Sequence, residues 1–167
     1  MKKKSLLSVI FIVVLVAVNF LLNKGDSDRI KVKSLYVIDG DTIKILINGE
    51  KKTVRIIGMD APEYNHPDRS RITEEGKDAR KILINKIPEN AYVEIEYDED
   101  RKDKYGRILA HVYYEDYLVS KWMIERGYAK RVYVAPNAKY QDILREAERH
   151  AKDNQLGYWT SLWSDDE

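Results

Sequence analysis

The 167-residue chain is 44% hydrophobic and 34% charged, and its 29 basic and 28 acidic side chains leave a net charge of +1. That size and composition fit one globular domain with a short appendage and exclude a multidomain assembly, a collagen-like chain and global disorder. With no cysteine there is no disulfide, thiolate zinc site or cysteine nucleophile, so any metal must sit on oxygen or imidazole.

Lys2, Lys3 and Lys4 precede an uncharged run from Ser5 to Asn23, and only Ser5, Ser8 and Asn19 are polar within residues 5–22. As a helix those residues would reach about 27 Å, close to the roughly 30 Å thickness of a bilayer's hydrocarbon core. Residues 1–22 are therefore read as an N-terminal hydrophobic helix, a membrane anchor ahead of the rival cleaved signal. A signal would end in small residues where Val16, Val18, Phe20 and Leu22 stand. The lysines before the run predict an N-terminus inside and an exported domain, single-pass at the cell membrane, or secreted if the segment is cleaved. Residues 1–30 hold five basic and two acidic side chains, so the remainder carries 24 basic against 26 acidic. A net charge of about −2 excludes nucleic-acid binding through bulk positive charge; such a partner needs a local site or a bound cation.

Residues 23–30 read as a polar linker. Strand signals follow at Val32 to Ile38, at Ile43, Ile45 and Ile47, and at Thr53 to Ile57, with Asp39-Gly40 and Asn48-Gly49 as hairpin turns. Thr73-Glu74-Glu75 starts a capped helix carrying Ala79, Ile82 and Leu83, which Pro88 stops. Val93 to Tyr97 alternates, and Arg107 to Tyr114 makes a fifth strand. A second helix carries Val119, Trp122 and Met123 and closes at Gly127. Tyr140, Ile143, Leu144, Ala147 and Ala151 mark a third. This order, α+β with a five-stranded OB-fold β-barrel and three helices, assigns residues 31–160 to the domain and 161–167 to an acidic tail.

Fold alone does not decide function, but misplaced polar residues point to it. Asp41 shares the parity of Ile43, Ile45 and Ile47, which turns its carboxylate toward the buried side. A type I′ turn accounts for Asp39 and Gly40 and leaves Asp41 unexplained; an acid on a core-facing row needs a cation or donors. In Arg55-Ile56-Ile57-Gly58-Met59-Asp60-Ala61-Pro62-Glu63, one loop delivers Asp60 and Glu63 together. With Asp41 they supply hard oxygen ligands suited to calcium, although a surface turn explains the loop equally well. Asp103-Lys104-Tyr105-Gly106-Arg107 reads as a hairpin with a glycine bulge, and it brings Arg107 into the fifth strand toward Arg55. Two guanidiniums beside a cation and a carboxylate suit phosphodiester chemistry.

Val37-Ile38-Asp39-Gly40-Asp41-Thr42, Arg55 through Glu63 with His66-Pro67, Asp103 through Arg107, and Gly127-Tyr128-Ala129-Lys130 stand in the order and spacing of the thermonuclease family, which the chain resembles from about Val32 to Trp159. The resemblance implies that Asp41, Asp60 and the Ala61 carbonyl bind calcium, with Asp39 and Glu63 reached through water. It assigns Arg55, Glu63 and Arg107 to catalysis, with Glu63 as general base, and Lys104, Tyr105 and Tyr133 to nucleotide contact. The implied activity is calcium-dependent hydrolysis of DNA and RNA with little sequence specificity, leaving 3′-phosphorylated ends; a non-catalytic OB-fold binding module is the alternative. No obligate protein partner is implied, and the chain is read as a monomer. Ala61 replaces a frequent Thr of the family, and Ala135 stands where the family carries a further tyrosine, which bears on base preference. His66, His111 and His150 have no ligand spacing and are read as non-catalytic.

Overall fold

In the computed structural model, which describes residues 28–64 and 68–160, period-two alternation builds the barrel the sequence implies. The strands are β1 Ile30–Asp39, β2 Thr42–Ile47, β3 Glu50–Ile56, β4 Met59–Asp60, β5 Tyr92–Glu96, β6 Ile108–Tyr114, β7 Tyr117–Leu118 and β8 Lys130–Arg131. The helices are α1 Glu74–Lys86, α2 Val119–Glu125 and α3 Gln141–Asp153. Sheet order is β3-β2-β1-β5-β6-β7, antiparallel throughout, and a parallel pairing of β3 with β6 closes a five-stranded barrel. Two features were not expected from sequence: the short β7 extends the sheet beyond β6, and β4 pairs with β8 in a separate ribbon. β4, β7 and β8 are all two-residue strands, too short to show an alternation.

The inner face of the barrel carries Ile43, Ile45, Val54, Ile56, Val93, Ile95, Ala110 and Val112, each no more than 1% exposed. Burying each of the larger of these side chains contributes about 1.5–3 kcal/mol, which makes this layer the main source of stability. Strand β1 has an irregularity between Ser34 and Tyr36, so Lys33 pairs with Leu46 and Tyr36 with Lys44 on the same outward side. Helix α1 is capped by the Thr73 hydroxyl, which accepts from Gly76 N–H at 3.0 Å, and it buries Ala79 and Leu83. The second helix closes at Gly127 as expected, through Tyr128 N–H to Met123 C=O and Gly127 N–H to Ile124 C=O. Helix α3 buries Leu144, Ala147 and Ala151 but leaves Ile143 40% exposed.

Two sequence expectations are corrected here. The Asp39-Gly40 corner is not a type I′ turn, because neither Gly40 nor Asp41 has positive φ; the Asn48-Gly49 corner has φ of 50° and 78° and is one. The linker ends before residue 30, since Ile30 is already in β1 and the Arg29 guanidinium lies 3.5 Å from the Tyr113 ring centroid. The hydrophobic segment over residues 1–22, the linker up to residue 27 and the tail 161–167 lie outside the described residues. Among the described residues no helix is long and apolar enough to cross a membrane.

A buried polar network locks the start of α3 to the barrel. The Glu96 carboxylate, 4% exposed, accepts from Tyr113 Oη at 3.0 Å, Tyr140 Oη at 2.7 Å and Lys139 Nζ at 2.7 Å. Burial pushes the Glu96 carboxyl up, but these three donors outweigh it and hold it below 4.5. Neighbouring His111 is 1% exposed, and burial lowers its imidazole below 6.5 against the opposing charge of Asp98. Both depressed values give stability that declines as pH falls. Below about 6.5 the unfolded His111 takes up a proton that the folded one resists, and below 4.5 the unfolded Glu96 does the same. Denaturant unfolding between about pH 3 and 8 should show both losses, with the lower one reduced in Glu96→Gln; a flat profile would contradict the assignment.

Candidate active site

The site grows from the open end of the barrel, where the β1–β2 corner, the loop after β3 and the β5–β6 connection meet. Asp41 is 8% exposed because the corner folds it inward. Its Oδ1 accepts from Thr42 Oγ1 at 2.8 Å, and its Oδ2 accepts from Ala61 N–H at 3.2 Å and is ion-paired with Arg55 Nη1. Asp39, 7% exposed, accepts at Oδ1 from Gly40 N–H at 2.8 Å and Tyr64 N–H at 3.1 Å. Both corner acids thus reach across to the loop that carries Asp60, Ala61 and Glu63. The close approach explains Gly40, where a Cβ would lie 2.6 Å from that of Ala61.

Arg55 stands on the outward face of β3, paired with Thr42 on one side and Leu109 on the other. Its guanidinium bridges two carboxylates, Asp41 through Nη1 and Asp60 Oδ1 through Nη2 at 2.5 Å. Burial lowers its pKa, the charges of Asp60 and Glu63 raise it, and Arg107 lowers it, so these four charges share one neighbourhood. Arginine stays protonated regardless.

The β5–β6 connection is organised by Asp103. Its Oδ1 accepts from Tyr105 N–H and Arg107 N–H, both at 2.9 Å, and its Oδ2 accepts from Arg107 Nε at 2.6 Å. Burial raises the Asp103 carboxyl, but the bonds from Arg107 and Tyr105 hold it below 3.8. Arg107 is thereby aimed, with no hydrogen bond to its Nη atoms among the described residues, while Tyr105, 73% exposed, projects over the rim beside Lys104. Arg55, Arg107, Lys104, Tyr105 and Leu109 line one cleft of about 440 Å³.

Not every expected residue converges. Glu63 is anchored by its backbone, whose carbonyl accepts from Thr73 N–H at 3.0 Å and would meet a Cβ at Gly76 at 2.0 Å. Its carboxylate makes no hydrogen bond or ion pair among the described residues, and it does not join Asp41 and Asp60 in a preformed cage. Among the described residues no three His, Asp or Glu side chains are grouped to hold a metal ion. What the site does present is two carboxylates, Asp41 and Asp60, sharing the Arg55 guanidinium, so its donors are oxygens. That set fits a hard divalent cation. Tyr133 is 53% exposed beside Val132 and Val134, which line the cleft although Tyr133 does not. Of the histidines, His111 is structural, His150 is on the exposed face of α3 and His66 lies outside the described residues.

Two supporting residues carry no sequence signal. Arg80 of α1 donates to the carbonyls of Val37 at 3.1 Å and Ile38 at 3.2 Å, fixing the strand end that delivers Asp39 and Asp41. Asn137, 3% exposed, accepts from Asp100 N–H at 2.8 Å and donates to its C=O at 3.1 Å, fastening the far wall of the cleft. Each acts across about 40 residues of sequence, 43 for Arg80 to Val37 and 37 for Asn137 to Asp100, beyond any local pattern.

The chain matches the family described as staphylococcal nuclease homologue over residues 53–161. It is 38% identical over 143 residues to Endonuclease YncB of Bacillus subtilis (strain 168), covering 83% of this chain and 65% of that protein. It is 39% identical over 128 residues to the SPbeta prophage-derived endonuclease YokF of the same organism, covering 74% of this chain and 42% of that one. It therefore spans less than two thirds of either Bacillus protein. With the Thermonuclease of Staphylococcus intermedius it shares 36% identity over 136 residues, 81% of this chain and 77% of that protein. The family match covers most of the chain and the barrel is consistent with it: the chain belongs to the staphylococcal nuclease homologue family.

Proposed function

We propose that this protein is a calcium-dependent nuclease that hydrolyses phosphodiester bonds of DNA and RNA with little sequence specificity and leaves 3′-phosphorylated ends. The observation that carries the proposal is the opening of two separately anchored guanidiniums, Arg55 and Arg107, onto one cleft beside the Asp41–Asp60 pair. Such fixed positive charge costs no reorganisation when negative charge grows on a phosphoryl group. The thermonuclease and endonuclease names of the relatives support the same reading.

Asp41, Asp60 and the Ala61 carbonyl would hold calcium, with Asp39 and Glu63 contributing through water. When bound, the cation supplies Lewis-acid neutralisation of a phosphate oxygen. Glu63, whose carboxylate makes no hydrogen bond or ion pair among the described residues, orients and deprotonates the attacking water. Arg55 and Arg107 hold the phosphate and oppose its added charge as the 5′ oxygen leaves. Lys104, Tyr105 and Tyr133 hold the nucleotide at the rim. The apolar run over residues 1–22 supports the further proposal that the domain works outside the cell, anchored at the membrane or secreted after cleavage.

With few carboxylates, calcium should bind weakly without substrate, at a Kd on the order of 10⁻⁴ to 10⁻³ M. Calorimetry with wild type and Asp41→Ala measures this, alongside cleavage of single-stranded DNA with calcium and then with chelator. Sub-micromolar affinity, or affinity that Asp41→Ala leaves untouched, would overturn the ligand assignment. DNA binding without calcium-dependent cleavage would replace the enzyme with a binding module.

A further inference from the structure

The outer face of the β1–β2–β3 meander carries charge that the active site does not use. Moving along β3 away from Arg55, the outward positions are Thr53 and Lys51, and cross-strand pairing sets Lys44 beside Thr53 and Leu46 beside Lys51. On β1 the irregularity after Ser34 brings Tyr36 beside Lys44 and Lys33 beside Leu46. The register thus gathers Lys33, Lys44 and Lys51 around Tyr36 and Leu46 on one surface, with Arg55 at its catalytic end. Tyr36 is 43% exposed, Lys51 is exposed, and Lys33 and Lys44 are half-exposed.

These lysines are not neutralised. Lys44 Nζ donates to Thr53 Oγ1 at 2.9 Å, and none of the three has an ion pair among the described residues. By contrast Lys52, of opposite parity, is paired with Glu50 at 2.5 Å. No acidic side chain occupies an outward position between Arg55 and Lys51. In a domain with 26 acidic and 24 basic side chains beyond residue 30, such a one-signed surface is a local arrangement rather than a reflection of composition. Four residues of strand from Arg55 to Lys51 cover about 13 Å. The cations stand at two-residue steps along that line, Arg55, then Lys44 beside Thr53, then Lys51, about 7 Å apart. Evenly spaced cations around an exposed ring are what a single strand of nucleic acid requires: charge for the backbone, a flat apolar surface for a base.

We propose that Lys33, Lys44 and Lys51, with Tyr36, form a track that holds the nucleic-acid strand on its way out of the cleft. The track deepens the nuclease reading and rests on it for the position of the scissile phosphate at Arg55. It makes the enzyme sensitive to substrate length: a strand that reaches the lysines binds more tightly than a fragment that fills only the cleft.

The test uses the full chain, as wild type and as Lys33→Ala/Lys51→Ala, with a trinucleotide and an oligonucleotide of about 20 nucleotides, longer than the roughly 4–16 an OB-type groove covers. In wild type the longer substrate should have the lower KM. In the variant the ratio of long to short KM should rise about tenfold, and the slope of log binding against log salt for the long strand should fall by about 1.4, two single-strand contacts at roughly 0.7 each. An unchanged ratio and slope would overturn the track. So would loss of binding to phosphatidylserine-containing vesicles with oligonucleotide binding intact, which would assign the face to an anionic membrane. If wild type cleaves nothing, the nuclease reading fails by itself. Binding of the uncut long strand, with its salt slope in wild type and variant, then still decides whether the track exists.

Discussion

Arg107→Ala should lower kcat/KM by about 3–4 kcal/mol, between two and three powers of ten, mostly through kcat. The expectation follows from how the side chain is held. Asp103 takes Nε at 2.6 Å and the backbone N–H at 2.9 Å, which fixes the direction of the guanidinium before any substrate arrives. A donor preset for charge that appears only as the bond breaks contributes to the transition state more than to the ground state. Lys104 is on the rim, oriented among the described residues only by the Tyr105 ring 5.1 Å away, and should touch substrate equally in both states. Lys104→Ala should therefore act on KM. Single-turnover rates and binding measured on both variants separate the two effects. An Arg107→Ala protein that folds and cuts at the wild-type rate would remove the catalytic assignment. Asp103→Asn adds a graded control, since it retains an acceptor for Nε but removes the charge that opposes the guanidinium.

The barrel strands and the three helices were legible because each is long enough to show its period, from Ile43, Ile45 and Ile47 to Leu144, Ala147 and Ala151. The burial of Asp41 was legible for the same reason: one polar residue on an apolar row. What the row did not reveal is its partner. Sequence parity turned Asp41 inward toward an anticipated cation, whereas the structure sets Arg55 against it, a guanidinium from the neighbouring strand that also takes Asp60. Pairing of that kind depends on strand register, which no local window contains. Arg80 and Asn137 escaped for the same reason, since each donates to backbone carbonyls distant in sequence, and a carbonyl has no residue type to recognise. The short β4 and β8 fell below any periodic signal, although their ribbon carries Asp60, which pairs with Arg55.

Arg55→Gln should separate the stability and catalytic contributions of that unforeseen pair. In chelator the variant leaves Asp41, 8% exposed, and Asp60 without the cation they share. Removing one partner of a buried ion pair costs about 3 kcal/mol, which for a domain of this size lowers Tm by roughly 10 °C. Calcium should then stabilise the variant more than wild type. In wild type the guanidinium already neutralises both carboxylates and repels an arriving cation; in the variant it does neither. Since stabilisation grows with ligand concentration over Kd, the tighter site gains more Tm at the same calcium concentration. Turnover should stay low even when calcium restores Tm, because the second phosphate-facing guanidinium is gone. Thermal unfolding of wild type and variant, each with chelator and with calcium, reads all three terms. An unchanged Tm in chelator would show that the bridge does not hold the corner to the loop. A calcium gain no larger than that of wild type would show that Asp41 and Asp60 are not the cation's ligands, and recovery of turnover together with Tm would make Arg55 a positioning residue alone.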